Sequence, residues 1–151
     1  MTDPIVHLST SPRHGLPLLF AAQAQKEVVL NESLARLDAL SHPAVEDELA
    51  APPSTPLEGQ CWLVAPAATG GWAGHDGAIA AFSGGDWLFL EPRDGMRCWM
   101  AATGQWLRFE NGWSGVTAPA VPSGGTMIDS ESRNAIAALI NLLKLAGIFP
   151  R

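Results

Sequence analysis

The chain has no tyrosine, only two cysteines, few cations and no long apolar run. Each shortage excludes something. Nine Lys and Arg stand against fifteen Asp and Glu, the formal net charge is −6, and no basic cluster occurs anywhere. Nucleic-acid binding needs clustered cations to meet phosphates, so it is set aside, and an anionic membrane surface is set aside for the same reason. No continuous apolar stretch approaches the ~20 residues that span a bilayer. The N-terminal segment lacks a basic stretch followed by a long apolar one, and LPLLFAA is too short and too late, which predicts manufacture in the cytoplasm without a signal peptide. Cys61 and Cys98 form no CxxC pair and fit buried thiols better than a disulfide framework, with a single bridge between them as the other option. Charged residues make up only 16% against 47% hydrophobic, so part of the apolar surface is expected to be buried against other subunits.

What the chain has in place of tyrosine is tryptophan. Trp62, Trp72, Trp87, Trp99, Trp106 and Trp113 all fall in one Gly-rich window, and neither end of the chain carries any. Residues 60–116 read as a β-meander in which CWLVA, GAIAAF, DWLFLE, MRCWMA and QWLRF are split by the Gly turns SGGD, PRDG, ATG and ENG. A weak internal echo, GQCWLVA against GMRCWMA, each followed by Thr-Gly-x-Trp, points to two hairpins of similar build. Before this zone lie an extended N-terminal arm (residues 1–20), a helix (21–42) and a Pro-rich linker (43–59). After it come a second linker (117–128) and a C-terminal helix (129–147).

The first helix carries a short stripe of Leu30, Leu34 and Leu37, too brief for an independent coiled coil. In the last helix, Asp129 or Ser130 caps the first turn and Gly147 fits the C′ position. Its apolar residues, among them Ile136, Leu139, Ile140 and Leu143, span more than one face, so wide burial in a symmetric bundle is expected. The fold class predicted is α+β: an N-terminal helix, a small antiparallel Trp-rich sheet or barrel and a C-terminal oligomerisation helix, assembled as a homo-oligomer. Leu30, Leu34, Leu37, Ile136, Leu139, Ile140 and Leu143 are its candidate interface.

Candidate chemistry is sparse. His75-Asp76 has no second ligand at metal spacing, and His7, His14 and His42 form no HxH or HExxH pattern, so neither a metal site nor a cofactor is expected. Paired acids across a cleft perform glycoside hydrolysis, and Asp86, Glu91, Asp94 and Glu110 lie near the tryptophan strands. Asp86 and Asp94, however, occupy Gly-flanked turns that favour Asp for backbone reasons alone. Trp62, Trp87, Trp99 and Trp106 read as packing. Trp72 (GGWAG) and Trp113 (NGWSG) are Gly-flanked and are expected to be exposed, where an indole can stack on a pyranose. The candidate glycan site is therefore Trp72, His75, Asp76, Asp86 and Trp113, with no catalytic residue assigned.

LPLLFAAQAQKEVVLNESLARLDAL, followed by the GQCWLVA…RCWM region, resembles a domain family of unknown function found in alphaproteobacterial prophages and gene transfer agents. The pattern L-P-x-x-x-A-x-Q-A-Q-K is met at Leu16, Pro17, Ala21, Gln23, Ala24, Gln25 and Lys26. N-E-x-L-x-x-L-D follows at Asn31, Glu32, Leu34, Leu37 and Asp38, and W-x-G-x-x-G at Trp72, Gly74 and Gly77. The resemblance implies a homotrimeric particle component, such as a head spike, spike base or tail-fibre-type adaptor, that partners capsid, spike or tail proteins and meets host polysaccharide. A full adsorption fibre would carry a longer receptor-binding part after Trp113, which favours a spike base or short spike. The alternatives are a carbohydrate-binding module and a small glycan hydrolase.

Overall fold

A computed structural model describes residues 10–19, 26–125 and 129–150, with the side chains of Lys26 and Glu27 outside the description. Ala21, Gln23, Ala24 and Gln25 of the Q-A-Q-K pattern, and His7, lie outside the described residues. The chain divides into two compact units, Met1–Pro92 and Arg93–Arg151. The architecture is α+β, and the β region forms two open sheets, not a barrel.

In the N-terminal unit, residues 10–17 fold back on themselves instead of running extended. Thr10 bridges Pro17, and the Ser11 hydroxyl accepts from Leu16 N–H at 3.0 Å. Helix α1 spans Lys26–Ser41. The stretch read as a linker then contributes two short strands, β1 (Ala44–Val45) and β2 (Glu48–Leu49). Two residues are too few to show an alternation in sequence. Strand β2 pairs parallel to β3 (Cys61–Val64), which pairs antiparallel with β4 (Ile79–Ser83), and β4 with β5 (Asp86–Leu90). A short 3-10 turn, Gly70–Trp72, lies between β3 and β4.

Alternation sorts this sheet into two faces. Trp62, Ala80, Phe82, Trp87 and Phe89 share one, and Cys61, Leu63, Ile79, Ala81 and Leu90 the other. Every residue of β3 is buried, so the strand reads as the continuous apolar run CWLV with no polar alternation.

The C-terminal unit holds β6 (Arg97–Met100), β7 (Gln105–Phe109) and β8 (Trp113–Ser114), side by side and antiparallel, followed by α2 (Ser130–Leu145). Here the alternation is clean. Cys98, Met100, Gln105 and Leu107 are buried, while Arg97, Trp106 and Arg108 stand on the open face. The carboxylate of Asp129 caps α2 by accepting from Ser132 N–H at 2.9 Å, and the Ser132 hydroxyl, with that N–H second, holds its pKa below the usual range. Gly147 takes φ +70° and Ile148 N–H returns to the Leu143 carbonyl at 2.9 Å, the expected glycine-terminated helix end. The echo between GQCWLVA and GMRCWMA places both segments on strands, but its second tryptophans diverge: Trp106 is on β7 and Trp72 in the 3-10 turn.

Candidate functional site

The expectation of an exposed Trp72 is corrected by its 0% exposure. The flanking glycines do build a turn, yet the turn directs the indole inward. Trp72 meets Trp87 edge-on at 5.0 Å, and Trp87 meets Trp62 at 5.7 Å and Phe82 at 5.1 Å. Trp62 and Trp72 form a buried cluster of the N-terminal unit with Val64, Ala78 and Ala80, and Trp87 packs against it. Trp72 is fully enclosed, its Nε1 without a hydrogen-bond partner, so no sugar ring can reach it.

The neighbouring candidates are also occupied internally. The His75 ring stacks flat on Phe89, 3.6 Å between centroids and 2° between planes. The Asp76 carboxylate accepts from Ala67 N–H at 2.8 Å and Ala68 N–H at 3.1 Å. It thereby holds Ala67 at φ +59°, a left-handed conformation that a non-glycine residue rarely adopts. Asp86 is exposed, accepts from Trp87 N–H at 2.7 Å, and lines a shallow groove of about 310 Å³ with Trp87, Asn31 and Glu32. Trp113 belongs to the C-terminal unit, half-buried and edge-on to its cross-strand partner Phe109 at 5.2 Å. The structure thus groups Trp72, His75 and Asp76 in one loop, each already engaged, and does not extend that group to a glycan platform.

Two further acids weighed for hydrolysis are engaged similarly. Asp94 accepts from Asn111 N–H at 3.1 Å and supports that residue's φ of +53°, and Glu110 pairs with Arg108 at 3.1 Å. Among the described residues no group of three His, Cys, Asp or Glu side chains is arranged to hold a metal, and no helix is long and apolar enough to cross a membrane. Both cysteines are free and buried. Burial raises the Cys61 pKa against the lowering effect of Arg13, and pushes Cys98 up to about 12.

The candidate interface residues separate into open and spent positions. On α1, Leu30 and Leu37 are exposed together with Val28 and Val29, and Leu34 is half-buried. On α2, Ile136 and Leu139 are exposed together with Leu142 and Leu145, and Leu143 is half-buried. Ile140 differs. It is 7% exposed, so the single chain already buries this side chain and it does not belong to the open set. A helix apolar over a wide arc can bury one part and leave the rest open.

Sequence reasoning gave no role to Asp38, the most heavily engaged acid in the N-terminal unit. Its buried carboxylate accepts from Arg13 N–H at 2.9 Å, His14 N–H at 2.7 Å and His14 Nδ1 at 3.1 Å. Burial pushes its pKa up, but these bonds and one from Ser11 outweigh that and hold the carboxyl below its ordinary range. Arg13 continues across the sheet side of the arm, donating to the Ala39 and His42 carbonyls and to Cys61 Sγ. Asn31 makes a two-way clamp on the arm, accepting from Leu19 N–H and donating to the Leu19 carbonyl, each at 2.8 Å.

Residues 30–114, more than half of the chain, match the family described as "Protein of unknown function (DUF2793)". The chain belongs to that family. No curated protein matches it. The matched span opens on the Asn31–Asp38 segment of α1 and closes on β8, so it takes in the whole tryptophan region. Within it, Asn31 and Asp38 of the N-E-x-L-x-x-L-D pattern act as anchors for residues 10–19.

Proposed function

We propose that this protein is a homotrimeric structural component of a phage-like particle or gene transfer agent. In this reading it is a head spike, spike base or tail-fibre-type adaptor that contributes to host-surface attachment. The observation that carries the reading is the set of large apolar side chains left open on both helices: Val28, Val29, Leu30 and Leu37 on α1, and Ile136, Leu139, Leu142 and Leu145 on α2. Such residues in water cost ~25 cal/mol per Å² that association would recover. Internal use of His75, Asp76 and Asp94 as backbone acceptors or ring partners also favours an assembly role over a catalytic one.

Light scattering coupled to gel filtration tests the assembly. A mass three times the 16.0 kDa chain is expected, and a monomer at micromolar concentration would end the reading. Leu139→Ser and Leu142→Ser together should dissociate the trimer while leaving circular dichroism unchanged, since both side chains face outward in the single chain. Proteomics of purified particles from the producing cells should find the protein in the particle fraction. Its confinement to the free cytoplasmic pool would contradict the particle assignment.

A further inference from the structure

We infer that the open face of the C-terminal sheet is a binding site for a saccharide carrying a carboxylate, with Trp106 as the stacking platform and Arg97 and Arg108 as the carboxylate partners. This rests on the attachment half of the proposed function and names its ligand class and residues. The groove is about 420 Å³ and is lined by Arg97, Trp106, Arg108, Ser114, Val116 and Ile148 among others, a size within the range of small-ligand sites.

Three observations converge there. First, Trp106 is 43% exposed, the one tryptophan of the six that is open by this measure. Its position is fixed on three sides: it lies in β7, meets Trp99 edge-on at 5.4 Å, and donates its backbone N–H to the Gly147 carbonyl at 2.7 Å. A Cβ on Gly147 would run into the Trp99 ring, so the chain end sits tightly against this pair. An indole so held loses little freedom on stacking against the C–H face of a pyranose.

Second, Arg97 and Arg108 are directly opposite one another on β6 and β7. Like charges in cross-strand register oppose folding, and an anion placed between them turns that cost into attraction. Glu110 offsets Arg108 at 3.1 Å, with both side chains more than half exposed, and no ion pair engages Arg97 among the described residues. Third, this pair stands out in a chain of net charge −6 with only nine Lys and Arg. A single carboxylate per sugar suits two guanidinium groups. A polyphosphate would meet repulsion from the rest of the protein, and the groove offers no further cations to offset it.

The test is titration of the full-length protein, by tryptophan emission and by calorimetry, with oligosaccharides containing galacturonate, mannuronate or glucuronate and with sialyllactose. Maltotetraose, inorganic phosphate and a short oligothymidylate serve as comparison ligands. At least one carboxylated saccharide should give saturable quenching and heat, with neutral maltotetraose binding at least about 10-fold more weakly. Arg97→Gln and Arg108→Gln should each weaken binding about 10-fold with circular dichroism unchanged, and Trp106→Ala should remove the quenching. Because Trp106→Ala also changes the packing of Trp99, the two arginine variants decide the matter independently of it. The site is overturned if no carboxylated saccharide binds at millimolar concentration, or if the arginine variants bind as the parent does. It is equally overturned if maltotetraose binds as well, or if phosphate or the oligothymidylate alone binds. Light scattering on the same samples separates this from the assembly reading. A monomer that binds keeps the site and ends the trimer, and a trimer that binds nothing does the reverse.

Discussion

The six tryptophans divide evenly between the two units and meet opposite fates. Trp62, Trp72 and Trp87 interlock edge-on in a core that the 3-10 turn closes from above. Trp99, Trp106 and Trp113 lie on strands, where Trp99 and Trp113 are half-buried and Trp106 is exposed. The residue type is the same, and one tryptophan of each unit, Trp72 and Trp113, is flanked by glycines. What differs is the connection that follows the first strand of each hairpin. Between β3 and β4, residues 65–78 form a long loop that folds Trp72 back onto the sheet, with Asp76 holding the loop's strained Ala67. Between β6 and β7 only residues 101–104 intervene, too few to cover anything. A tryptophan's role in these hairpins is set by the length of the adjoining loop, more than by its own neighbours in sequence.

Substitutions sharpen the contrast. Trp72→Ala should cost about 3–5 kcal/mol of unfolding free energy in urea titration, the usual range for an enclosed aromatic, while Trp106→Ala should cost about 1 kcal/mol or less. Equal losses would break the distinction between closed and open units. Next in size is Asp38→Ala, expected to cost about 2–4 kcal/mol by leaving the Arg13 and His14 N–H groups without their buried acceptor. Because the folded carboxyl has a pKa below its ordinary 3.8, its contribution is present in full above that value and is lost as the pH falls through the lower, folded one. Urea titrations of the parent should therefore weaken in this acid range more steeply than those of Asp38→Asn.

Smaller effects follow. Cys98, its thiol pushed to about 12, should react with a disulfide reagent at pH 8 only on unfolding, and reaction in native buffer at the rate of a free thiol would contradict its burial. Glu58→Gln should cost about 1 kcal/mol, because its carboxylate accepts from both Gly84 and Gly85 N–H at the β4–β5 turn and a neutral amide keeps only one accepting oxygen.

Much of this fold was legible in the sequence, and the reasons are physical. Alternation in QWLRF and RCWM marks β7 and β6 because one face is buried and the other open. The Asp129 cap and Gly147 end mark α2 because helix termini have few chemical solutions. The strands β1 and β2 escaped notice because two residues carry no period, and the parallel pairing of β2 to β3 depends on contacts distant in sequence. The candidate site was less legible. A glycine on each side of Trp72 predicts a turn correctly but not the direction of the indole within it. Trp106 gave no signal of exposure, since QWLRF reads as a strand whichever face is buried, and only the register that sets Arg97 against Arg108 shows what shares its surface.

Oxidation of the native protein by limiting N-bromosuccinimide, mapped by peptide mass spectrometry, tests the contrast between closed and open units most directly. Trp106 should be modified first and Trp72 last, with Trp72 protected until the N-terminal unit unfolds. Oxidation of Trp72 as early as Trp106 in folded protein would contradict the account.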